Sequence, residues 1–424
     1  MEHQISNGWI SIELEKLFNL FYGKGLPVKS FTEEGYNVYG ANGIIGKYSK
    51  YNFENEKVII SCRGAASGAI HKTKPKSFVT SNSIILDEKI VNLLNLDFVK
   101  YAMINVNKED IITGTAQPQI TIQLLKNLKF PLPPRAEQDR IVAQLDSLFG
   151  KLEQINKSLD HIPTLLKNFR QQVLTQAVTG KLTEEWRKGK ELKGWRDKTV
   201  GSILLETPKN GAYYPKSLYG RGTRIIRIDT FYDGTLKYWE KVQKVEISEK
   251  DFESYKLEEG NIVINRVNSI DYLGKCMLVE NLPEPAIFES NMMRLRLDQS
   301  KVLPKYLRTY LISQIGIKQL RQNAKHAVNQ ASINQSDVKE VIIKLPELKE
   351  QKKIVNRVEN LFAKADAIEA HYEALKTKIE HLPQAILHKA FKGELVPQLE
   401  SDGDARELLR EIEGFRNKIK SSKK

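Results

Sequence analysis

Residues Gln117 to Leu182 recur, without a gap, as residues Gln330 to Leu395. Leu132-Pro133 returns as Leu345-Pro346, Glu137-Gln138 as Glu350-Gln351, Ile141-Val142 as Ile354-Val355, Leu148-Phe149 as Leu361-Phe362 and Gly180 as Gly393, every pair 213 positions apart. A constant offset over a whole segment means that one supersecondary unit is used twice. Whatever this chain folds into must therefore bury the same stripe twice.

The stripe is helical. Ile141, Leu145, Leu148, Leu152, Ile155, Leu159, Ile162, Leu166, Phe169 and Val173 advance in steps of four and three, and so do Ile354, Val358, Leu361, Ala365, Ile368, Tyr372, Leu375, Ile379, Leu382 and Ile386. That is heptad spacing. Prolines stand before both runs, an acid (Glu137, Glu350) lies near each positive end, and Gly180 and Gly393 follow where the backbone turns left-handed. A straight helix over 136–178 would reach roughly 60 Å, with Pro163 and Pro383 expected to kink or interrupt the two runs. One such stripe alone would lie in water; two can cover each other. Ile141, Leu145, Leu148, Leu152 and Ile155 are expected to form a seam with Ile354, Val358, Leu361, Ile368 and Leu375. A pseudo-twofold relation between the copies makes the pair antiparallel and sets the preceding segments at opposite ends; a parallel pair would bring them together.

The segments before each helix repeat loosely. Gly8-Trp9 matches Gly194-Trp195 at offset 186, Val58-Ile59-Ile60 matches Ile262-Val263-Ile264 at 204, and Ser81-Asn82 matches Ser290-Asn291 at 209, before the offset settles at 213. Helix length is held while the segments ahead of it vary, as expected of a fixed scaffold whose loops read different ligands. Short β-rich runs among Gly/Asn-rich turns make each segment an α+β domain. The expected organisation is a domain over 1–131, a helix over 132–182, a linker over 183–194, a second domain over 195–344, a second helix over 345–395 and a charged tail over 396–424.

Lys and Arg exceed Asp and Glu by 66 − 52 = 14, and the pI is near 9.3. This favours a polyanionic partner. The start of the chain shows no basic region followed by an apolar run, and no stretch approaches membrane-spanning length, so a cytoplasmic protein with no membrane partner is expected. Cys62 and Cys276 sit singly in strand-like runs and read as buried free thiols.

A search for catalytic chemistry returns little. Gly40 to Tyr48 resembles a phosphate loop but puts five residues instead of four between Gly40 and Gly46, and Tyr48 cannot serve as the Mg²⁺-binding hydroxyl position. The seven histidines show no metal-ligand spacing. No catalysis and no metal are expected of this chain by itself. Binding signals sit in the loops instead. Tyr39, Asn42, Lys47, Arg63, Ser67, Asn82, Gln117 and Gln119 in the first domain, with Tyr213, Tyr214, Lys216, Arg221, Arg224, Asn265, Arg266, Asn268, Asn291, Lys325 and Gln330 in the second, are candidate DNA contacts. Arg pairs bidentately with guanine, Asn and Gln pair with adenine, and Lys holds phosphate.

The Leu-Pro-x-x-x-Glu-Gln-x-x-Ile-Val opening, the heptad helix and the endings Leu174 to Leu182 and Leu387 to Leu395 resemble the two spacers of specificity subunits of type I restriction-modification enzymes. The resemblance implies two loop-rich target recognition domains separated by two long helices, paired as an antiparallel coiled coil. It implies a DNA-binding, non-catalytic subunit that reads a bipartite asymmetric site on double-stranded DNA. Two methyltransferase subunits would dock on it, supplying S-adenosylmethionine and DNA methylation, together with two restriction subunits using ATP and Mg where restriction is present. No cofactor is expected in this chain. The residues by themselves leave open a stand-alone DNA-binding regulator, or a coiled-coil scaffold with basic binding domains.

Overall fold

The computed structural model describes residues 8–114, 118–190, 194–231, 236, 239–327 and 330–421. The chain divides into two compact units: unit 1 is Met1–Leu159 with Ala374–Lys424, and unit 2 is Asp160–Glu373. Each unit therefore holds one domain, the helix that follows it, and the end of the other spacer.

Val58-Ile59-Ile60 and Ile262-Val263-Ile264 have no polar alternation, so these strands must be covered on both faces, and all six residues are fully buried. In unit 1 the strand Val58–Ser61 lies inside a four-stranded antiparallel sheet of order Phe18–Tyr22, Ser83–Glu88, Val58–Ser61, Ile70–Lys72. Above it, Tyr36–Gly40 pairs antiparallel with Gly43–Tyr48 and parallel with Phe78–Val79. Ile10–Glu13 joins Lys129–Leu132 just before the helix. Unit 2 repeats all three sheets. Lys209–Asn210, Met292–Leu295, Ile262–Asn265 and Cys276–Leu278 form the first, Lys244–Val245, Tyr219–Ile226 and Ala286–Phe288 the second, and Arg196–Thr199 with Ile342–Leu345 the third. Val267–Asn268, Gln330–Ser332 and Lys325–Ala327 form a small sheet where unit 1 has the bridges Arg63–Gln119 and Thr113–Gln119.

The first spacer is two helices rather than one, α1 (Arg135–Leu159) and α2 (Ile162–Val178), whereas the second is a single helix, α3 (Leu348–Phe391). Pro163 falls in the first turn of α2, where its missing N–H costs nothing and the poor helix former Asp160 precedes it. Pro383 lies inside α3 behind the better helix formers Glu380 and Leu382, and the helix runs through at the loss of a backbone hydrogen bond.

Within each unit the pairing is antiparallel. In unit 2, Arg170 of α2 donates to Asp366 and Glu369 at 2.6 and 2.7 Å, Leu174 shares a core with Val355 and Val358, and Arg187 reaches Glu350 at 2.6 Å. One strand of the pair advances as the other retreats. In unit 1, Leu145 of α1 shares a core with Leu387 and Ala390, while the earlier Arg140 meets the later Asp402 at 2.5 and 2.6 Å.

The seam is only half as expected. Ile141 and Leu145 are fully buried, but among Phe98 and Phe130 of the domain as well as the opposite helix; Ile354 and Val358 lie likewise beside Tyr306 and Leu307. Leu148, Leu152 and Leu361 are half-buried. Ile155, Ile368 and Leu375 are exposed at 43%, 52% and 44%, so their placement in a covered seam is corrected. One heptad position (Leu159, Leu166, Val173; Ala365, Tyr372, Ile379) is buried, while the other stays open at Ile155 and Phe169, and at Ile368, Leu375 and Leu382. Two helices touch along a narrow strip, and a stripe wider than that strip keeps an uncovered edge.

Candidate nucleic-acid interface

The Glu-Gln pair that opens each spacer fixes a domain to its helix. Gln138, fully buried, accepts from the Asn95 amide at 2.9 Å and donates to the Pro133 carbonyl at 3.0 Å; Gln351 accepts from Leu303 at 2.8 Å and donates to Pro346 at 2.9 Å. A buried side-chain amide needs partners on both ends. On this base, each domain turns one end of its sheets into a cluster of loops.

In unit 1 the hairpin tip Ala41-Asn42 is tied to the central sheet by two hydroxyls, Ser61 donating to the Ala41 carbonyl and Ser83 to that of Gly40. Gly43 has φ +83°, and a Cβ there would stand 3.3 Å from the His71 ring. Cys62 N–H donates to the Asn82 carbonyl at 2.9 Å, the Ile120 N–H donates to the Cys62 carbonyl at 3.0 Å, and Arg63 bridges Gln119. Four exposed candidates from four segments, Asn42, Arg63, Asn82 and Gln119, thus gather at one end. Exposed Lys24, its carbonyl accepting from Ser81 N–H at 3.1 Å, joins them; no sequence motif marked it.

Unit 2 builds the same end with different side chains. Arg266 N–H donates to the Asn291 carbonyl at 2.9 Å, and Ile333 N–H donates to the Arg266 carbonyl at 2.9 Å. By these bonds Arg266 occupies the place of Cys62, and Val267 that of Arg63. The side chains agree: Cys62 Sγ faces the Ser81 carbonyl at 3.9 Å, and an Arg266 guanidinium N–H donates to the Ser290 carbonyl at 3.0 Å. Asn268 and Asn291 are half-buried here, Lys325 and Gln330 are exposed on the small sheet, and the Ala212–Glu289 bridge sets Tyr213, 81% exposed, at the same end.

Candidates that are buried or brace a sheet are corrected. Tyr39 is buried with Ile59, Val79 and Ile85, its hydroxyl accepting from Lys74 N–H. Ser67 is buried and spends its hydroxyl on the Pro118 carbonyl at 2.7 Å. Asn265 is fully buried. Arg224 braces its sheet through Glu284 at 2.6 Å and the Val242 carbonyl. Tyr214 packs beside Leu218 and Phe252, where burial lifts its phenol to about 12. Lys47 and Arg221 lie toward the ends of their strands away from the loop cluster, Arg221 paired with Glu246 at 2.9 Å, and Lys216 opens the short 3-10 turn that precedes the strand of Arg221. Gln117 falls outside the described residues. Local composition marks loops and polar side chains, but which way a strand residue points is set by its neighbours.

Beside the unit 2 cluster, burial raises the Glu289 carboxyl above its ordinary range; it accepts the Ile228 N–H at 2.8 Å and faces Arg227 at 3.6 Å. Burial also raises the thiols of Cys62 and Cys276, the latter to about 12, which leaves both as packing groups at neutral pH. Among the described residues no group of three His, Cys, Asp or Glu side chains assembles as a metal site, and no helix is long and apolar enough to cross a membrane.

Residues 6–164 and 193–380 match the family described as type I restriction modification DNA specificity domain. The chain is 31% identical over 362 residues to the type I restriction enzyme StySPI specificity subunit of Salmonella potsdam, covering 85% of this chain and 73% of that one. To the EcoKI specificity subunit of Escherichia coli K12 it is 32% identical over 299 residues, covering 68% and 64%. The crystal structure of the HsdS subunit from Thermoanaerobacter tengcongensis shares the fold at TM-score 0.63 and 18% identity, over 93% of this chain and 99% of that one. With two copies of the family domain, each running into its helical spacer, the chain belongs to the DNA specificity subunits of type I restriction-modification systems, which recognise DNA and are not themselves catalytic.

Proposed function

We propose that each unit reads one half of a bipartite DNA site through its loop end, and that the observation carrying this reading is the pair of equivalent loop ends with unlike side chains. The backbone positions that hold Cys62 and Arg63 in unit 1 hold Arg266 and Val267 in unit 2. Equal scaffolds with different donors and acceptors suit an asymmetric site. Asn42, Arg63, Asn82 and Gln119 would meet bases or phosphates in one half, and Tyr213, Arg266, Asn268, Asn291, Lys325 and Gln330 in the other.

The uncovered helix edges suit the remaining partners. Ile155 and Ile368, and Phe169 and Leu382, are repeat-equivalent and all exposed, so the same apolar ridge is offered twice. Two copies of one methyltransferase subunit would use it, bringing S-adenosylmethionine and adenine methylation; restriction subunits with ATP and Mg would add cleavage, in the cytoplasm. Sequencing methyladenine in cells carrying this chain and its methyltransferase is expected to give two short specified parts around an unspecified gap. A single contiguous palindrome would refute the reading. Ile368→Asp is expected to keep the fold and lose the methyltransferase on co-purification.

A further inference from the structure

The loop end of unit 1 carries one feature that hydrogen bonding does not use. Ile44 and Ile45 follow the hairpin tip directly and are 54% and 42% exposed. Single exposed aliphatic residues are ordinary on a protein surface. Two in succession, on a hairpin whose tip Ser61 and Ser83 hold against the sheet end that carries Asn42, Arg63, Asn82 and Gln119, put an apolar spot at the edge of a polar face.

On a base-pair edge in the major groove the apolar mark is the 5-methyl group of thymine. We propose that Ile44, with Ile45 beside it, contacts that methyl group of one thymine in the half-site read by unit 1. The proposal rests on the DNA reading above and adds the base feature recognised. Asn42 and Arg63 supply hydrogen bonds next to it, while the isoleucine distinguishes thymine from a pyrimidine lacking the methyl.

The test uses the complete methyltransferase complex and its own methylated motif. Each thymine of the first half-site, on either strand, is replaced in turn by deoxyuridine, which removes one methyl and keeps every hydrogen-bonding group. One position is expected to weaken binding roughly three- to fivefold, the worth of one buried methyl-sized group. Ile44→Ala should bind thymine and deoxyuridine equally at that position, and Ile44→Val should keep most of the preference, both with unchanged thermal stability because the residue is exposed. A half-site without thymine, the absence of any sensitive position, or sensitivity that persists in Ile44→Ala would overturn the inference while leaving site-specific binding, and so the DNA reading, intact. A complex that does not prefer its own motif would fail the DNA reading first and this inference with it.

Discussion

Glu137 and Glu350 occupy the same position in the two copies, each in the first turn of a spacer helix and each almost wholly buried, yet they are held differently. Glu350 accepts from Thr183 at 2.7 Å and from Arg187 at 2.6 Å. Repeat-equivalent positions in unit 1 are Val396 and Glu400, which supply no cation. The Glu137 carboxyl is pushed up by burial, with the Asp402 charge adding to this, while hydrogen bonds from Trp9 and Gln398 and the charge of Arg140, which itself holds Asp402 low, pull the other way. A duplicated motif thus preserves a residue's address but not its partners, because those come from the segment after the other spacer, where the copies have diverged. The loop ends teach the same lesson, with Cys62 and Arg266 at one address and opposite chemistry.

The largest expected effect breaks this comparison on the unit 2 side. Arg187→Ala leaves Glu350 buried with Thr183 alone and should cost about 3 kcal/mol, the low end for breaking a buried pair because Arg187 is itself 30% exposed. Denaturant unfolding of the full chain measures it. An unchanged midpoint would show that the ion pair contributes nothing and that the two glutamates are equivalent after all.

A second pair of variants sharpens the loop-end comparison. Arg63→Ala should weaken DNA binding by about 1–3 kcal/mol without shifting the melting temperature, the cost of one bidentate base contact. Arg266→Ala should lower the melting temperature as well, because its guanidinium also holds the Ser290 carbonyl. Equal thermal stability of both variants would mean that Arg266, like Arg63, is a surface side chain.

The smallest effect lies at Glu137 and depends on pH. Its folded carboxyl sits above the ordinary 4.5, chiefly through burial. The folded state therefore holds the proton more tightly than the unfolded chain, and stability falls as pH rises from the ordinary value through the folded one. Glu137→Gln removes the charge and should melt slightly higher than the wild type at pH 7. Below about pH 4 the carboxyl is neutral in both states and the advantage should vanish. Glu350→Gln, which discards an ion pair, should move the other way at pH 7.

Periodicity made the helices legible, along with their proline and glycine boundaries and the fully apolar strands. Those features follow from local sequence, since a helix or a strand buried on both faces repeats its apolar positions whatever it packs against. The mistaken site residues, Tyr39, Ser67, Asn265 and Arg224, failed for a different reason. Polar and aromatic side chains in turn-rich segments look alike in sequence whether they face water or brace a sheet. Their hydrogen-bond partners lie as far away as Pro118 for Ser67 and Glu284 for Arg224.

Sequence alone determined that this chain is a duplication with constant helices and divergent loops, because a fixed 213-residue offset survives only where insertions are not tolerated. Tertiary structure decided which heptad edge is covered, which arginine is the counterpart of which cysteine, and where one spacer breaks and the other does not. A heptad states which residues share a face but not how wide a strip the neighbour can bury. Equivalence across insertions is carried by backbone hydrogen bonds such as Cys62 to Asn82 and Arg266 to Asn291, which exist only once distant strands have met.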